Sequence, residues 1–237
     1  MLFFYIRHGD PTYHPDALTP LGRRQADAVA KRLALFGLDR IYTSSSNRAI
    51  ETAQPTCELL KLESTELDFA NEHHAWMELG VVVDGRRRWL FASPEHRPIL
   101  ASAEVRALGD RWYEHEAFAE HDYKSGIERV ARETDALFAS LGYEHIRGSG
   151  TYRAVRPNDE RVALFAHQGF GLAFFSQLLD IPYPQFALQF DMCHSGVTVV
   201  EFKDEGGIAI PKICTFSSDS HLYREGLPLD YNHQFRF

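Results

Sequence analysis

Arg7, His8, Gly9 and Asp10 follow directly on an apolar run, Leu2 to Ile6, and that order of residue types has a chemical meaning. An apolar strand that ends in Arg-His-Gly carries an imidazole to the mouth of a sheet. The arginine offers a planar fork of donors to an anion, and the glycine lets the backbone turn sharply and come close to a ligand. The chemistry suggested is phosphoryl transfer to histidine. A second histidine, His167, follows a second apolar run, Val162 to Ala166, and so reaches the same edge of such a sheet. Arg48 sits in the first turn of a helix expected after Ser44, Ser45 and Ser46, where backbone N–H groups and the positive helix end also favour an anion.

These side chains need elements to carry them. Leu2–Ile6 and Val162–Ala166 are aromatic, β-branched and aliphatic throughout, as strands buried on both faces require. Thr19 before Pro20 reads as an N-cap and a first-turn proline, and Leu21, Ala26, Val29, Leu33 and Phe36 recur at helical spacing up to Gly37. Leu38–Thr43 reads as a strand. The helix after the serines carries Ile50, Ala53, Cys57 and Leu60 on one face, with a kink expected at Pro55.

Residues 73 to 160 differ: they are charged and aromatic, with two helical patterns and no good buried strand. Ala101, Val105, Leu108 and Trp112 mark one helix; Ile127, Val130, Thr134, Leu137 and Leu141 mark the other, closed by Gly142. His145–Glu160 reads as a long loop. A helix over Phe170–Leu179, a strand over Gly196–Phe202, and an edge hairpin with an irregular end complete the chain. Strand and helix in alternation imply right-handed crossovers and a largely parallel sheet covered on both faces, with reactive residues at the carboxyl ends of its strands.

The chain's 237 residues allow one domain with a large insertion. The balance of 25 basic and 33 acidic residues, net −8, speaks against nucleic acid as a partner and gives no reason to expect a membrane; an anion must be attracted locally. Arginine supplies 20 of those 25 basic residues, which suits bidentate contact with phosphate and equally reflects a GC-rich coding sequence. Cys57, Cys193 and Cys214 are widely separated and form no CxxC pair, so neither a disulfide framework nor a cysteine zinc site is expected. The first apolar run is broken by Arg7, so it reads as neither a signal peptide nor a membrane span, and a cytoplasmic setting is expected.

The chain resembles the histidine phosphatase superfamily, also called phosphoglycerate mutase-like. The resemblance rests on Arg7-His8-Gly9-Asp10, on Leu18-Thr19-Pro20-Leu21-Gly22 with Gln25-Ala26, on Ser44-Ser45 with Arg48-Ala49 and Glu51-Thr52-Ala53, and on Ala166-His167. It covers roughly the first 60 residues and the stretch from about 161 to 202. It implies a three-layer α/β/α sandwich in which residues 73–160 form a mainly helical cap within a single domain. It also implies that His8 is the nucleophile, that Arg7, Arg48 and His167 form the phosphate pocket, and that a carboxylic acid protonates the leaving oxygen. By the family's placement of that acid, Glu72 is chosen, with Glu78 as the competing choice.

Chemistry supports these roles independently. A neutral imidazole attacks phosphorus, while two arginines and a protonated His167 hold the equatorial oxygens; no metal or other cofactor is required. The same positive groups depress the pKa of the nucleophile. The sequence departs from the family at Ala75-Trp76-Met77-Glu78 and at His167-Gln168-Gly169, where Gln168 is expected to shape the pocket; both departures bear on the substrate more than on the reaction. Ser195 is a candidate donor near the phosphate. Arg86-Arg87-Arg88 is either a solvated loop or a contact for a second anionic group. His73-His74 and the pair His115 and His121 lack the spacing of a closed metal-ligand set.

The reading is a phosphomonoester hydrolase acting on a small-molecule phosphate ester through a phosphohistidine. Mutase-type phosphoryl transfer is the nearest rival, and a non-catalytic binding or regulatory protein on the same fold is the alternative of another kind. Neither the natural substrate nor the oligomeric state is written in these motifs.

Overall fold

The computed structural model describes residues 1–233; the irregular end expected after the edge hairpin includes residues 234–237, which lie outside the described residues. The first third runs β1 (Leu2–Arg7), a hairpin of β2 (Pro11–Tyr13) and β3 (Asp16–Leu18), α1 (Pro20–Phe36), β4 (Arg40–Ser44), α2 (Asn47–Leu60) and β5 (Ser64–Leu67). There follow α3 (Glu72–Leu79), a hairpin of β6 (Gly80–Val83) and β7 (Arg86–Trp89), α4 (Arg97–Leu100), α5 (Ala103–Leu108), α6 (Tyr123–Ser140) and strands β8 (Tyr143–Ile146) and β9 (Thr151–Ala154). The chain then returns through β10 (Arg161–Ala166), α7 (Gln168–Leu179), α8 (Tyr183–Gln189), β11 (Val197–Glu201), β12 (Ile208–Ala209), β13 (Lys212–Ser218) and α9 (Ser220–Arg224).

Six strands form the central sheet in the order β13-β11-β1-β10-β4-β5. The pairs β1–β10, β10–β4 and β4–β5 are parallel, and β11 and β13 add antiparallel at the other side. Alternate residues of each buried strand face opposite layers. Phe4 and Ile6 of β1, with Ala163 and Phe165 of β10, pack against Val29 and Leu33 of α1 and Ala53 of α2. Phe3, Tyr5, Val162 and Leu164 face the other way, onto Val130 and Leu137 of α6 and Phe170 and Phe174 of α7. The result is a three-layer α/β fold on a mostly parallel sheet, as the alternation of strand and helix requires.

The ends of the elements follow the sequence signals. Thr19 caps α1 by accepting from the Gly22 N–H, Pro20 opens the helix, and Gly37 closes it with φ +71°. α2 runs through Pro55 as one helix rather than ending there. The helix expected from Ala101 to Trp112 is shorter: Ser102 caps α5, Gly109 ends it with φ +58°, and a 3-10 turn over Gly109–Glu114 delivers Trp112 to the core. The expectation of a strandless 73–160 segment is also corrected. Val81 and Val83 of β6 are buried, and β8 and β9 pair through what reads as a long loop, with Tyr143 and Tyr152 fully buried. These strands are four residues each, too short for a period of two to stand out beside Arg86–Arg88 or around Gly148 and Gly150. Among the described residues no helix is long and apolar enough to cross a membrane.

The loop after His8 lies directly on the first turn of α1. A Cβ on Gly9 would stand 2.6 Å from the Gly22 carbonyl oxygen, and one on Gly22 would stand 2.1 Å from that of Asp10. Backbone meets backbone there, so neither residue tolerates a side chain without movement. Gly22→Ala is expected to destabilise the fold by about 1–3 kcal/mol, seen as a lower urea midpoint. An unchanged midpoint would show that the loop yields freely.

Candidate active site

The parallel strands deliver their carboxyl ends to one edge, and the chemically pointed residues gather there. Arg7 ends β1 and His8 follows it; Ser44 ends β4, Arg48 lies in the first turn of α2, and His167 follows β10. His8 is pinned by its backbone: its N–H donates to the Ala166 carbonyl at 2.9 Å, and its own carbonyl accepts from the Ser195 N–H at 3.0 Å. The neighbouring Gly9 N–H donates to Thr52 Oγ1 at 3.0 Å.

The tautomer of His8 follows from its one side-chain partner. Nδ1 lies 2.7 Å from the Gly9 carbonyl oxygen, which only accepts, so Nδ1 carries the proton and the Nε2 lone pair is free. Burial, followed by His167, Arg7 and Arg48, holds the pKa of His8 well below the ordinary histidine value. His8 is therefore a neutral imidazole, as a nucleophile must be.

His167 is fully buried, its ring centroid 5.2 Å from that of His8. Its Nε2 shares a 2.7 Å hydrogen bond with the Ser44 hydroxyl, while Nδ1 is buried without a partner. Burial, then Arg48 and Arg7, push this pKa too well below the ordinary value, so His167 is neutral before an anion enters the pocket. Where the Ser44 hydroxyl donates to Nε2 rather than to Ser46 Oγ at 3.4 Å, Nδ1 is the N–H donor.

Glu72 opens α3, with Asn71 as its N-cap. Its Oε1 accepts from the Gly169 N–H at 3.0 Å, its Oε2 accepts from Arg48 at 3.0 Å, and Oε2 lies 3.7 Å from His167 Nδ1. Glu78, on the same helix, is turned away onto α6, where Arg129 donates to it at 2.6 to 2.9 Å. Arg48 also donates to Asp16 at 2.8 Å, under the ring of Tyr13.

The remaining expected residues fall out differently. Gln168, nearly buried, donates to Asp191 at 2.8 Å. Ser195 departs from its expected place as a phosphate donor: its hydroxyl is 2.9 Å from His221 Nε2 and fully buried, and it touches His8 only through its backbone. The residue before it takes the prominent position. His194 Nε2 accepts from Arg7 at 2.6 Å, its Nδ1 lies 3.0 Å from Asp230, and its ring is 5.7 Å from that of His8. Arg7 donates further to the Met192 carbonyl and to Asn232 Oδ1. Sequence reasoning passed over His194 and Asp16; His194 lies in a turn and Asp16 opens the three-residue strand β3, so neither has a periodicity to mark it, and only the irregular Cys193-His194-Ser195 before an apolar strand hinted at the first.

Two groups of three side chains bring ligand atoms within 4.8 Å of one another among the described residues: His8, Glu72 and His167, and Asp10, His194 and Asp230. The guanidinium of Arg48 contacts Glu72 in the first group and that of Arg7 contacts His194 in the second, so each group already has a cationic partner among the described residues. Of the imidazoles weighed for a metal from sequence, His74 bonds Asp68 at 3.1 Å and His115 accepts from the Ala117 N–H. Above the first group opens a cavity of about 790 Å³, walled by Tyr13, Asp16, Arg48, Glu72, Trp76 and Trp89.

A three-layer α/β/α fold with a histidine and arginines at the carboxyl ends of its parallel strands is the architecture of the phosphoglycerate mutase-like phosphatases, and the resemblance read from the motifs holds. Residues 3–80 match the model of the histidine phosphatase superfamily (branch 1). In fold the chain is similar to phosphoserine phosphatase from Entamoeba histolytica bound to 3-phosphoglyceric acid, at 18% identity and TM-score 0.59 over 93% of this chain and 98% of that one. It is similar to a mycobacterial glucosyl-3-phosphoglycerate phosphatase, at 20% identity and TM-score 0.60 over 92% and 99%. A third likeness is to a putative alpha-ribazole-5'-P phosphatase from Escherichia coli, at 16% identity and TM-score 0.57 over 92% and 97%. No curated protein matches the chain in sequence.

Proposed function

We propose that this chain is a phosphomonoester hydrolase that works through a phosphohistidine on His8, with residues 73–160 as a cap within a single domain. The observation that carries the reading is the state of His8: neutral, buried, its Nδ1 proton fixed on the Gly9 carbonyl and its Nε2 free. The three similar structures named above, two phosphatases and one putative phosphatase of small phosphate-bearing compounds, support it.

In this mechanism the phosphoryl group sits among Arg7, Arg48, His8 and His167. Nε2 of His8 attacks phosphorus as the P–O bond to the leaving group breaks, and Arg48 with the His167 Nδ1–H stabilise the charge on the equatorial oxygens. Once Arg48 turns to the phosphoryl oxygens, Glu72 is free to carry the proton that the leaving oxygen takes. The carboxylate then removes a proton from water, which attacks the phosphohistidine and releases inorganic phosphate, returning His8 to its starting state. The Gly169 N–H holds Glu72 in place throughout. No step uses a metal, and an ester of a small molecule is the substrate.

The leaving group tests the acid. An alkoxide needs a proton in the transition state, whereas p-nitrophenolate departs without one. Glu72→Gln is expected to slow an alkyl phosphate by roughly 10²-fold or more and p-nitrophenyl phosphate far less. Glu78→Gln, which breaks only the pair with Arg129, is expected to show no such dependence. Equal losses on both esters for Glu72→Gln would leave it a binding residue, and a leaving-group-dependent loss for Glu78→Gln would move the assignment.

A further inference from the structure

The chemistry of the cavity wall selects a leaving group, an inference that rests on the reading of the chain as a phosphomonoesterase. Charge is the first observation. The cavity beside Glu72 is lined by two carboxylates, Asp16 and Glu72, and by one guanidinium, Arg48, whose two terminal nitrogens are already bonded to those same carboxylates. His14 and His73 are the other basic side chains on its wall. Arg86, Arg87 and Arg88 are absent from it; Arg87 donates to the Met77 carbonyl and borders a different cavity, with Glu78 and His121. When the phosphoryl group draws Arg48 away, a leaving group reaching into this space meets the Asp16 carboxylate and the carboxyl group of Glu72, with no other guanidinium and no ammonium on the wall.

Shape is the second observation. Trp76 of α3 and Trp89 of β7 meet edge to face with ring centroids 5.0 Å apart, and Tyr13 stands over the Arg48 guanidinium at 5.4 Å. All three aromatic rings line the cavity and are at least partly exposed to it. Rings of this kind hold flat or ring-shaped faces, by stacking or by C–H contact, and gain little from short acyclic chains.

Position is the third. The Trp89 indole lies so close on the first turn of α7 that a Cβ at Gly169 would be 2.2 Å from its Cζ2 atom. The N–H of that same Gly169 holds Glu72 Oε1. A ring resting on Trp89 is thereby placed next to the carboxyl group that must protonate its oxygen. The glycine at 169 stands where the indole passes.

We propose that the protein takes monoesters of uncharged alcohols bearing a ring, such as the 5'-hydroxyl of a nucleoside or the primary hydroxyl of a hexose, and discriminates against alcohols that carry a carboxylate or a second phosphate. Selectivity comes from repulsion by the Asp16 carboxylate as well as from attraction by the aromatic walls.

The test compares benzyl phosphate with its 4-carboxybenzyl analogue, two alcohols of similar reactivity that differ by one charge. The expected kcat/KM favours benzyl phosphate by roughly tenfold or more. Trp76→Leu is expected to reduce the benzyl over glycerol phosphate ratio of kcat/KM by roughly tenfold, mostly through KM. A nucleoside 5'-monophosphate and a hexose 6-phosphate, assayed beside phosphoserine and 3-phosphoglycerate, identify which ring-bearing alcohol fits better. Preference for the carboxylated ester, a ratio unmoved in Trp76→Leu, or both ring-bearing esters falling below phosphoserine overturns the inference while leaving the hydrolase reading intact. Failure to turn over any ester, p-nitrophenyl phosphate included, overturns both.

Discussion

His8→Ala is expected to reduce hydrolysis of every phosphate ester by roughly 10⁴-fold or more and to abolish a covalent phosphoenzyme. The size of the effect follows from what remains. Arg7, Arg48 and His167 are still expected to bind the phosphoryl group, so the variant keeps affinity for inorganic phosphate or vanadate; what it loses is the imidazole whose free Nε2 lone pair is fixed by its own tautomer. An N–P bond is labile in acid and stable in base, the reverse of a phosphoserine, so a rapid quench with labelled substrate distinguishes the intermediate by its chemistry. The outcome that sinks the assignment is specific: near-normal turnover in His8→Ala with an unchanged circular dichroism spectrum. Persistence of the acid-labile label in that variant would place the covalent bond on another imidazole, with His167 and His194 as the neighbours at 5.2 and 5.7 Å.

That the proposed nucleophile is legible in the sequence depends on how it is carried. β1 and β10 are continuous apolar runs because both their faces are covered, and a residue directly after such a run has nowhere to go but the sheet's carboxyl edge. Thr19-Pro20 and Ser44 to Arg48 were readable for a similar reason, since caps and helix starts are local chemistry. The rest was set by contacts between distant segments. Glu72 and Glu78 lie on one eight-residue helix but six positions apart, so they point to different faces, and Arg129 from α6 holds the second away from the histidines. Ser195 and His194 are adjacent, and the positive φ of Ser195, +58°, turns its hydroxyl to His221 while the preceding imidazole meets Arg7. The lowered pKa of His167 has no sequence signal either, because it comes from burial beside two guanidiniums that reach it from β1 and α2. β8 and β9 had no sequence signal, being short and flanked by glycine, and are held by Tyr143 and Tyr152 reaching a core assembled elsewhere.

Acid is expected to unfold this protein well above the range where carboxylates titrate, and the burial of four imidazoles sets the window. His8, His167, His194 and His221 are each at most 3% exposed. All four are pushed below 6.5 chiefly by burial, His194 to about 3 and His221 to about 4. The unfolded chain binds protons on these groups near 6.5 and the folded chain does not. Their contribution is therefore complete above that pH and is lost as pH falls toward the folded values. Each histidine removes about 1.4 kcal/mol for every pH unit below 6.5, so His194 and His221 alone remove about 4 kcal/mol by pH 5, a large part of an ordinary domain's stability. Carboxylates such as Asp68, held below its usual value by the Ser45 hydroxyl and His74, enter only at lower pH and leave this window to the imidazoles. Urea midpoints from pH 7.5 to 5 are expected to drop steeply below 6.5. His221 lies outside the proposed chemistry, bonded to Ser195 and 3.4 Å from Arg32, so it isolates one proton. His221→Gln is expected to flatten the slope of stability against pH by about 1.4 kcal/mol per unit, whatever it does to stability at pH 7.5. A slope unchanged by that substitution, or a midpoint indifferent to pH down to 5, would show that these imidazoles titrate in the folded protein and that their burial is not what holds them neutral.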